Sequence, residues 1–297
     1  MEDSTFKSGF AAIIGAPNVG KSTLLNKILG EKLVIVSPKP QTTRNRIIGV
    51  YHGDNFQIAF MDTPGIHKTK TVLHKSMVAS ALEAVSEVDL ILFVIDITCP
   101  FDEEAGAILK RQKSRKIPAV LVINKIDRTS PEKILPVIQH YSKSYLFELI
   151  VPVSALTGDG VVRLLNELKK HLPPGPEYFP RDMKTDQPDS FLAAEIIREK
   201  IYMNTKREIP YSSAVTVASM KENPQKKLLS IYARIHVETD SQKRIIIGKG
   251  GSMIKKIGAA SRAELEKLFG THIYLDLQAK VDKNWSTDTK ALKKLGY

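Results

Sequence analysis

Eight consecutive residues, Gly15-Ala16-Pro17-Asn18-Val19-Gly20-Lys21-Ser22, have the types and spacing of a loop that wraps phosphate. They follow an apolar run, Phe10 to Ile14, and precede a helical pattern beginning at Thr23 and ending at Leu29. In that setting Gly15 and Gly20 let backbone N–H groups turn inward around phosphate oxygens, and the helix points its positive end at the same anion. Lys21 has the reach for β- and γ-phosphates, and the Ser22 hydroxyl can ligate Mg²⁺. A second constellation, Asp62-Thr63-Pro64-Gly65, ends another apolar strand. There a carboxylate can hold a Mg²⁺-bound water and the Gly65 N–H can approach a γ-phosphate. A third, Asn124-Lys125-Ile126-Asp127, bears on the base. Asp127 can accept from both N1–H and the exocyclic amino group of guanine, where adenine offers an acceptor and no amino group, so the polar site rejects the wrong base. Asn124 can fix the loop, and the Lys125 stem can cover the purine plane. Ser154-Ala155-Leu156 follows a further strand, and the backbone N–H groups of Ser154 and Ala155 could contact the guanine carbonyl. Each short motif alone could be an ordinary turn or cap; their order after the phosphate loop gives them meaning.

The elements that must carry these residues are legible from periodicity. Leu90 to Ile95, Ala119 to Ile123 and Leu149 to Val153 read as strands, the first two as buried ones because their runs are unbroken and apolar. Ile47 to Tyr51 and Phe56 to Met61 read as a pair turned at Gly53-Asp54. Helices are expected over Val72 to Val88, Glu103 to Lys113, Pro131 to Ser142 and Gly160 to His171. Strands alternating with helices imply a mostly parallel sheet covered on both faces, with ligands at the strand carboxyl ends, where all four motifs fall. Glu31 to Arg46 reads as a long surface loop and Ile66 to Thr71 as a mobile one.

At 297 residues and 42% hydrophobic content the chain suits two packed domains. No apolar run approaches membrane-spanning length, the start lacks the pattern of a signal peptide, and the single cysteine excludes an internal disulfide, so a cytosolic protein is expected. Cys99 reads most simply as a buried small apolar residue. The net charge of +12 is uneven: residues 180–297 hold 22 Lys and Arg against 14 Asp and Glu, a balance of +8. That excess fits a polyanionic partner, nucleic acid or an anionic membrane surface, as well as a solvated basic face.

Five prolines and Gly175 between His171 and Asp189 read as an interdomain linker, which divides the chain into domains 1–172 and 190–297 across a Pro-rich 173–189. A helix, Phe191 to Tyr202, and two alternating runs, Ser213 to Met220 and Leu228 to Glu238, open the second domain. Gly248-Lys249-Gly250-Gly251 follows the apolar Ile245-Ile246-Ile247 and precedes an amphipathic helix from Ser252 to Leu268, and a strand, His272 to Val281, closes the unit. Pattern alone makes Ile245 to Ile247 a strand. Trp285 reads as packing a terminal helix over Ala291 to Tyr297, with base stacking as the other role open to it.

Over residues 5–172 these motifs resemble the Ras-like GTPases of the translation-factor-related class, and the GxxG unit resembles a type II KH domain, whose loop clamps single-stranded nucleotides. The resemblance implies an α/β Ras-like P-loop GTPase domain followed by an α+β KH domain, and it makes Ile245 to Ile247 the end of a short helix. It implies that Ile247, Gly248, Lys249, Gly250, Gly251, Lys255 and Lys256 face RNA. One threonine of the pair Thr42-Thr43 should complete a Mg²⁺ shell with Ser22 and Asp62; Thr43 is favoured and Thr42 is second choice. Ras carries a glutamine after DxxG where this chain has Ile66, so unassisted hydrolysis should be slow. In related GTPases with an apolar residue there, a phosphate-loop asparagine, here Asn18, helps bind K⁺. With Gln41-Thr42-Thr43-Arg44 and Leu295-Gly296-Tyr297, nearly the whole chain resembles the Era-type family of bacterial GTPases. Membership would imply GTP and GDP as ligands, 16S ribosomal RNA and the 30S subunit as partners, no DNA, and loose contact with the inner face of the cell membrane. Two other readings remain open: a GTPase whose basic domain docks on membrane or protein, and a scaffold in which GTP is structural.

Overall fold

The computed structural model describes residues 6–37, 39, 42–62, 88–101 and 117–296. Thr63, Pro64, Gly65 and Ile66, and the helices expected over Val72 to Val88 and Glu103 to Lys113, lie outside the described residues apart from Val88. The described residues form two compact units. One comprises 6–34, 43–62, 88–101 and 117–186; the other comprises 35–37, 39, 42 and 187–296.

The first unit is built on a six-stranded sheet in the order β2-β3-β1-β4-β5-β6, with β1 Lys7–Ile14, β2 Ile47–Gly53, β3 Phe56–Asp62, β4 Leu90–Asp96, β5 Ala119–Asn124 and β6 Leu149–Pro152. Only β2 runs antiparallel to its neighbour. The two-residue turn between β2 and β3 is Asp54-Asn55, one residue later than the Gly53-Asp54 expected, because Asn55 takes the positive φ of 58° and Gly53 stays in the strand. Ile14, Phe93, Ile95, Leu121 and Ile123 pack on one face with Val137 and Tyr141 of helix α2 (Ile134–Ser144). Helices α1 (Lys21–Leu29) and α3 (Val161–His171) bury Leu24, Leu25, Leu164 and Leu168. Both faces being covered is why the strands read as continuous apolar runs. Cys99 is exposed, contrary to expectation, because it sits in the turn after β4, its N–H donating to the Asp96 carbonyl.

The Pro-rich stretch lies extended along this unit. Ser8 and Gly175 bond the chain at Pro173 and Phe6, isolated bridges pair Lys7 with Pro174 and Gly49 with Thr185, and Val50 N–H donates to the Lys184 carbonyl. The buried Gln57 side chain accepts from the N–H groups of Tyr178 and Phe179 at 3.0 Å each and donates to the Phe179 carbonyl at 2.7 Å.

The second unit has a three-stranded sheet, β7 (Ala214–Asn223), β8 (Leu228–Val237) and β9 (His272–Val281), with β7 and β8 antiparallel and β8 and β9 parallel. Helices α4 (Asp189–Asn204), α5 (Asp240–Ile247) and α6 (Ser252–Phe269) cover one face, burying Ile197, Ile201, Ile235, Ile246 and Ile257 together. Ile245 to Ile247 is helical, against its strand-like pattern, because a capping box starts α5: Thr239 Oγ accepts from Gln242 N–H while the Gln242 side chain accepts from Thr239 N–H. Trp285 is fully buried, its indole N–H donating to the Ser212 carbonyl at 3.1 Å, which makes it core rather than a stacking platform. The terminal helix α7 is short, Thr289–Lys294. Among the described residues no helix is long and apolar enough to cross a membrane.

Candidate nucleotide site and nucleic-acid groove

The end of β1 feeds directly into the phosphate loop, and α1 begins at Lys21. Gly20 is dictated by a neighbour: a Cβ there would lie 2.3 Å from Asn124 Nδ2, at a φ of 99° that side chains disfavour. Asn124, only 1% exposed, donates through that Nδ2 to the Val19 carbonyl at 2.8 Å and accepts from Ala155 N–H at 2.9 Å. One side chain thereby braces the phosphate loop against the Ser154-Ala155-Leu156 loop. Around it the sequence-named residues keep close order: Gly15, Ala16 and Val19 are buried, Pro17 and Thr23 half-buried, and Asn18 exposed with a φ of 62°.

Lys21 is buried and its ammonium donates to the carbonyls of Gly15 at 3.0 Å and Ala16 at 2.8 Å. Its charge is thus held at the mouth of the loop. Ser22 Oγ donates to Asp62 Oδ2 at 2.7 Å and lies 3.0 Å from Thr43 Oγ1, which is itself 3.4 Å from the same carboxylate oxygen. Thr42 turns its hydroxyl to the Lys39 carbonyl instead. Three hard oxygens converge at a helix N-terminus with no nitrogen or sulfur among them, which is the donor chemistry that suits Mg²⁺. Beyond these, no group of three or more His, Cys, Asp or Glu among the described residues could hold a metal.

Asp127 lies in a single turn of 3₁₀ helix, Ile126–Arg128, exposed, with Oδ1 accepting from Ser154 Oγ at 2.6 Å. Lys125 has a φ of 66°, and its ammonium donates to the Asn18 carbonyl at 2.7 Å and pairs with Asp96 at 2.5 Å. The expected outward donors of the next loop are engaged: Ser154 N–H bonds the Asp159 carbonyl and Ala155 N–H bonds Asn124. A buried loop leaves few backbone donors unsatisfied, so a guanine carbonyl would have to share the Ala155 N–H. Leu156, 73% exposed, stands at the rim.

Asp96 is a site residue the motifs did not flag. It ends β4 directly beside Asn124 in the strand register, and half-burial works to raise its carboxyl pKa. Hydrogen bonds from Lys125 and from the Thr98 side chain and N–H outweigh that and hold it below the ordinary carboxylate range. The signal that could have found it is its place at the carboxyl end of a parallel strand.

In the second unit α5 closes on Gly248, where a Cβ would lie 2.7 Å from Met253 N, and the chain turns through Lys249–Gly251 into α6. Ile247 and Gly251 are half-buried and Lys249 and Gly250 exposed at the turn. A groove of about 380 Å³ runs between α6 and the free edge of β9, lined by Ile254, Lys255, Gly258, Arg262, Tyr274 and Leu277 among others. Lys255 enters this lining; Lys256 is exposed outside it. Arg262 and the half-exposed Tyr274, whose ring meets Tyr232 edge-on at 6.1 Å, were not singled out from sequence. An apolar floor, a strand edge and flanking cations form a groove in which unpaired bases can lie with their phosphates outward.

A family profile described as 50S ribosome-binding GTPase matches residues 10–125, and a KH domain profile matches residues 208–286. The chain is 53% identical to the GTPase Era of Geobacter metallireducens over the full length of both. It is 51% identical to that of Syntrophus aciditrophicus, over 98% of this chain and 95% of the relative. Among solved structures it is similar to a tyrosine-to-alanine variant of Aquifex aeolicus Era bound to GDP and AlF₄⁻, with a TM-score of 0.95, 42% identity, and 98% and 99% of the two chains covered. It is equally similar to an Era in complex with MgGDPNP and nucleotides 1506–1542 of 16S ribosomal RNA, at a TM-score of 0.94, 43% identity and the same coverage.

Proposed function

The chain belongs to the Era family of GTPases, and from that premise we propose that its GTP hydrolysis controls binding of the 3′ end of 16S ribosomal RNA during assembly of the 30S subunit. The observation that carries the reading is one chain's possession of both halves: the Ser22, Thr43 and Asp62 oxygens beside a guanine-selecting loop, and a basic unit with an open groove.

Catalysis of phosphoryl transfer is mostly positioning and charge neutralisation. Lys21 needs only to leave the Gly15 and Ala16 carbonyls to meet β- and γ-phosphate oxygens. Ser22, Thr43 and Asp62 would hold Mg²⁺, which when bound neutralises charge on the same oxygens. Asn124 keeps the two loops in register, Asp127 takes the base edge, and Lys125, fixed by Asp96, covers the purine. Gly65 is assigned the N–H facing the γ-phosphate.

Asn18 is assigned a K⁺ ion that supplies the positive charge Ile66 cannot help organise. Turnover should therefore be about tenfold or more faster in K⁺ than in Na⁺ at equal ionic strength, in line with the effect of a positive group near the transferred phosphate. Equal rates in the two buffers remove this role for Asn18.

The switch itself is tested by RNA affinity in two nucleotide states. A labelled single strand of the 16S 3′ end should bind several-fold more tightly with a GTP analogue than with GDP, a coupling of about 1 kcal/mol or more. Identical affinities would leave two activities without a switch. Binding to anionic vesicles in place of RNA would favour the rival reading, in which the basic unit docks peripherally on the cytoplasmic face of the membrane.

A further inference from the structure

The sheet of the second unit has two faces of different character. Ile231, Ala233 and Ile235 of β8 and Ile273 of β9 are buried in the core under the helices. Alternation along the strands therefore turns Tyr232, Arg234, Tyr274, Asp276 and Gln278 to the opposite face. That face is open: Tyr232 is 37% and Tyr274 52% exposed, with Arg234, Gln278 and Lys221 of β7 exposed around them. A parallel pair such as β8 and β9 is ordinarily covered on both sides, so a bare face calls for a partner.

The side chains on it say which partner. The two tyrosine rings lie 6.1 Å apart at 62°, and in such an edge-to-face pair the ring that gives its edge keeps both flat faces free of the other. Those faces suit a base. The register sets Lys221 in the row of Tyr274, through Ser230, and Arg234 in the row beyond Tyr232, so a cation stands on each side of the Tyr232 row. Neither cation forms an ion pair with any described residue, which leaves both charges for a ligand. Asp276, opposite Tyr232, repels phosphate and accepts from base N–H groups, and so favours a strand lying with its bases inward. Exposed aliphatic side chains, which would anchor a protein, are absent from the face among the described residues.

The face is also continuous with the groove beside α6. Strand β9 is the outer strand, and Tyr274 belongs to the groove lining while its ring meets Tyr232 on the open side. We propose that this open sheet face is a second surface for single-stranded RNA: a strand leaving the groove crosses the β9 edge and stacks its bases on Tyr274 and Tyr232, while Arg234 and Lys221 meet its phosphates. The inference rests on the reading of the groove as an RNA site. It lengthens the strand the unit can hold beyond the four nucleotides that a GxxG loop clamps.

The test titrates the full chain, as wild type and as Tyr232→Ala, Tyr232→Phe and Arg234→Ala, with two labelled single strands from the 16S 3′ end. One has about four nucleotides, enough for the groove, and the other about twelve. Wild type should bind the longer strand at least about tenfold more tightly. Tyr232→Ala should weaken the longer strand alone, by about tenfold, the order expected on losing one base–aromatic stack. Tyr232→Phe keeps a ring and should bind as wild type. Arg234→Ala should weaken the longer strand and shallow its log–log salt slope by about 0.7, the share of one phosphate. Equal wild-type affinity for the two strands, an unaffected Tyr232→Ala, or a loss shared by both strands would overturn the proposal. Loss of binding to 30S particles by Tyr232→Ala, with RNA affinity intact, would overturn it too by giving the face to a protein. If wild type binds neither strand, the RNA reading of the groove falls as well, whereas tight binding of the short strand preserves that reading whatever the fate of the second surface.

Discussion

Asp127→Asn is expected to lower GTP affinity on the order of a thousandfold and to make xanthosine triphosphate the preferred nucleotide, because a site built on paired hydrogen bonds strongly rejects a partner that leaves them unmet. The carboxylate can accept from guanine N1–H and from the 2-amino group together. An amide at the same place accepts once and donates once, so it faces the 2-amino group with a donor. Xanthine replaces that amino group by a carbonyl and restores the match. The geometry favours a clean outcome. Asp127 is exposed on a short 3₁₀ turn, and the Ser154 hydroxyl that donates to its Oδ1 at 2.6 Å can donate equally to an amide oxygen. Displacement of a fluorescent GDP by GTP and by xanthosine triphosphate checks it. Equal loss of both nucleotides would show that the substitution had broken the loop and would leave the base assignment to other residues.

Lys249→Asp combined with Gly250→Asp should cut affinity for single-stranded RNA by about a hundredfold or more while GTP turnover stays as it was. The loop presents exposed backbone at the start of α6, where a helix N-terminus favours phosphate. Two carboxylates there repel the same phosphates, and loss of one phosphate contact should also shallow the salt dependence of binding by about 0.7 in log–log slope. The fold should tolerate the change. A Cβ at Gly250 meets no atom within 4 Å, and aspartate accepts the φ of 60° better than most residues. Gly248 would be a poor choice, since its Cβ would strike Met253. Fluorescence anisotropy against a labelled strand at several salt concentrations reads both effects. Retained RNA affinity would assign the GxxG loop to an ordinary turn.

Much of this architecture was legible in the sequence because backbone chemistry forces it. Leu90 to Ile95 and Ala119 to Ile123 read as buried strands from their unbroken apolar runs, and the chain passes from each into its loop as the register shows. The nucleotide motifs were readable for a similar reason: a phosphate loop needs its glycines wherever it occurs. What stayed hidden depended on contacts between distant segments. Nothing local marked Asp96 as the partner of Lys125, since an aspartate after a strand looks like a turn residue. Arg198 and Glu199 sit in a helix whose residues from Leu192 to Tyr202 are all buried, and in sequence their charges imitate a solvated face. The engagement of the Ala155 N–H by Asn124 was likewise invisible, because two residues 31 apart had to meet. Ile245 to Ile247 shows the reverse case: a strand-like triplet was overridden by the cap at Thr239, six residues upstream.

The Pro-rich stretch has a bearing on solubility. Strand β2 is one of the two outer strands of the large sheet, and an outer strand with open backbone groups is a template for pairing between molecules. Here the Val50 N–H meets the Lys184 carbonyl, the Ile48 N–H meets Asp186 Oδ1 at 3.1 Å, and Gly49 bridges Thr185. Residues 184–186 therefore act as a guard rail on that edge, and the prolines upstream keep them from becoming a sticky strand in their own right. A fragment ending at residue 172 would lose the guard and present β2 to its neighbours; one carried through Asp186 would keep it.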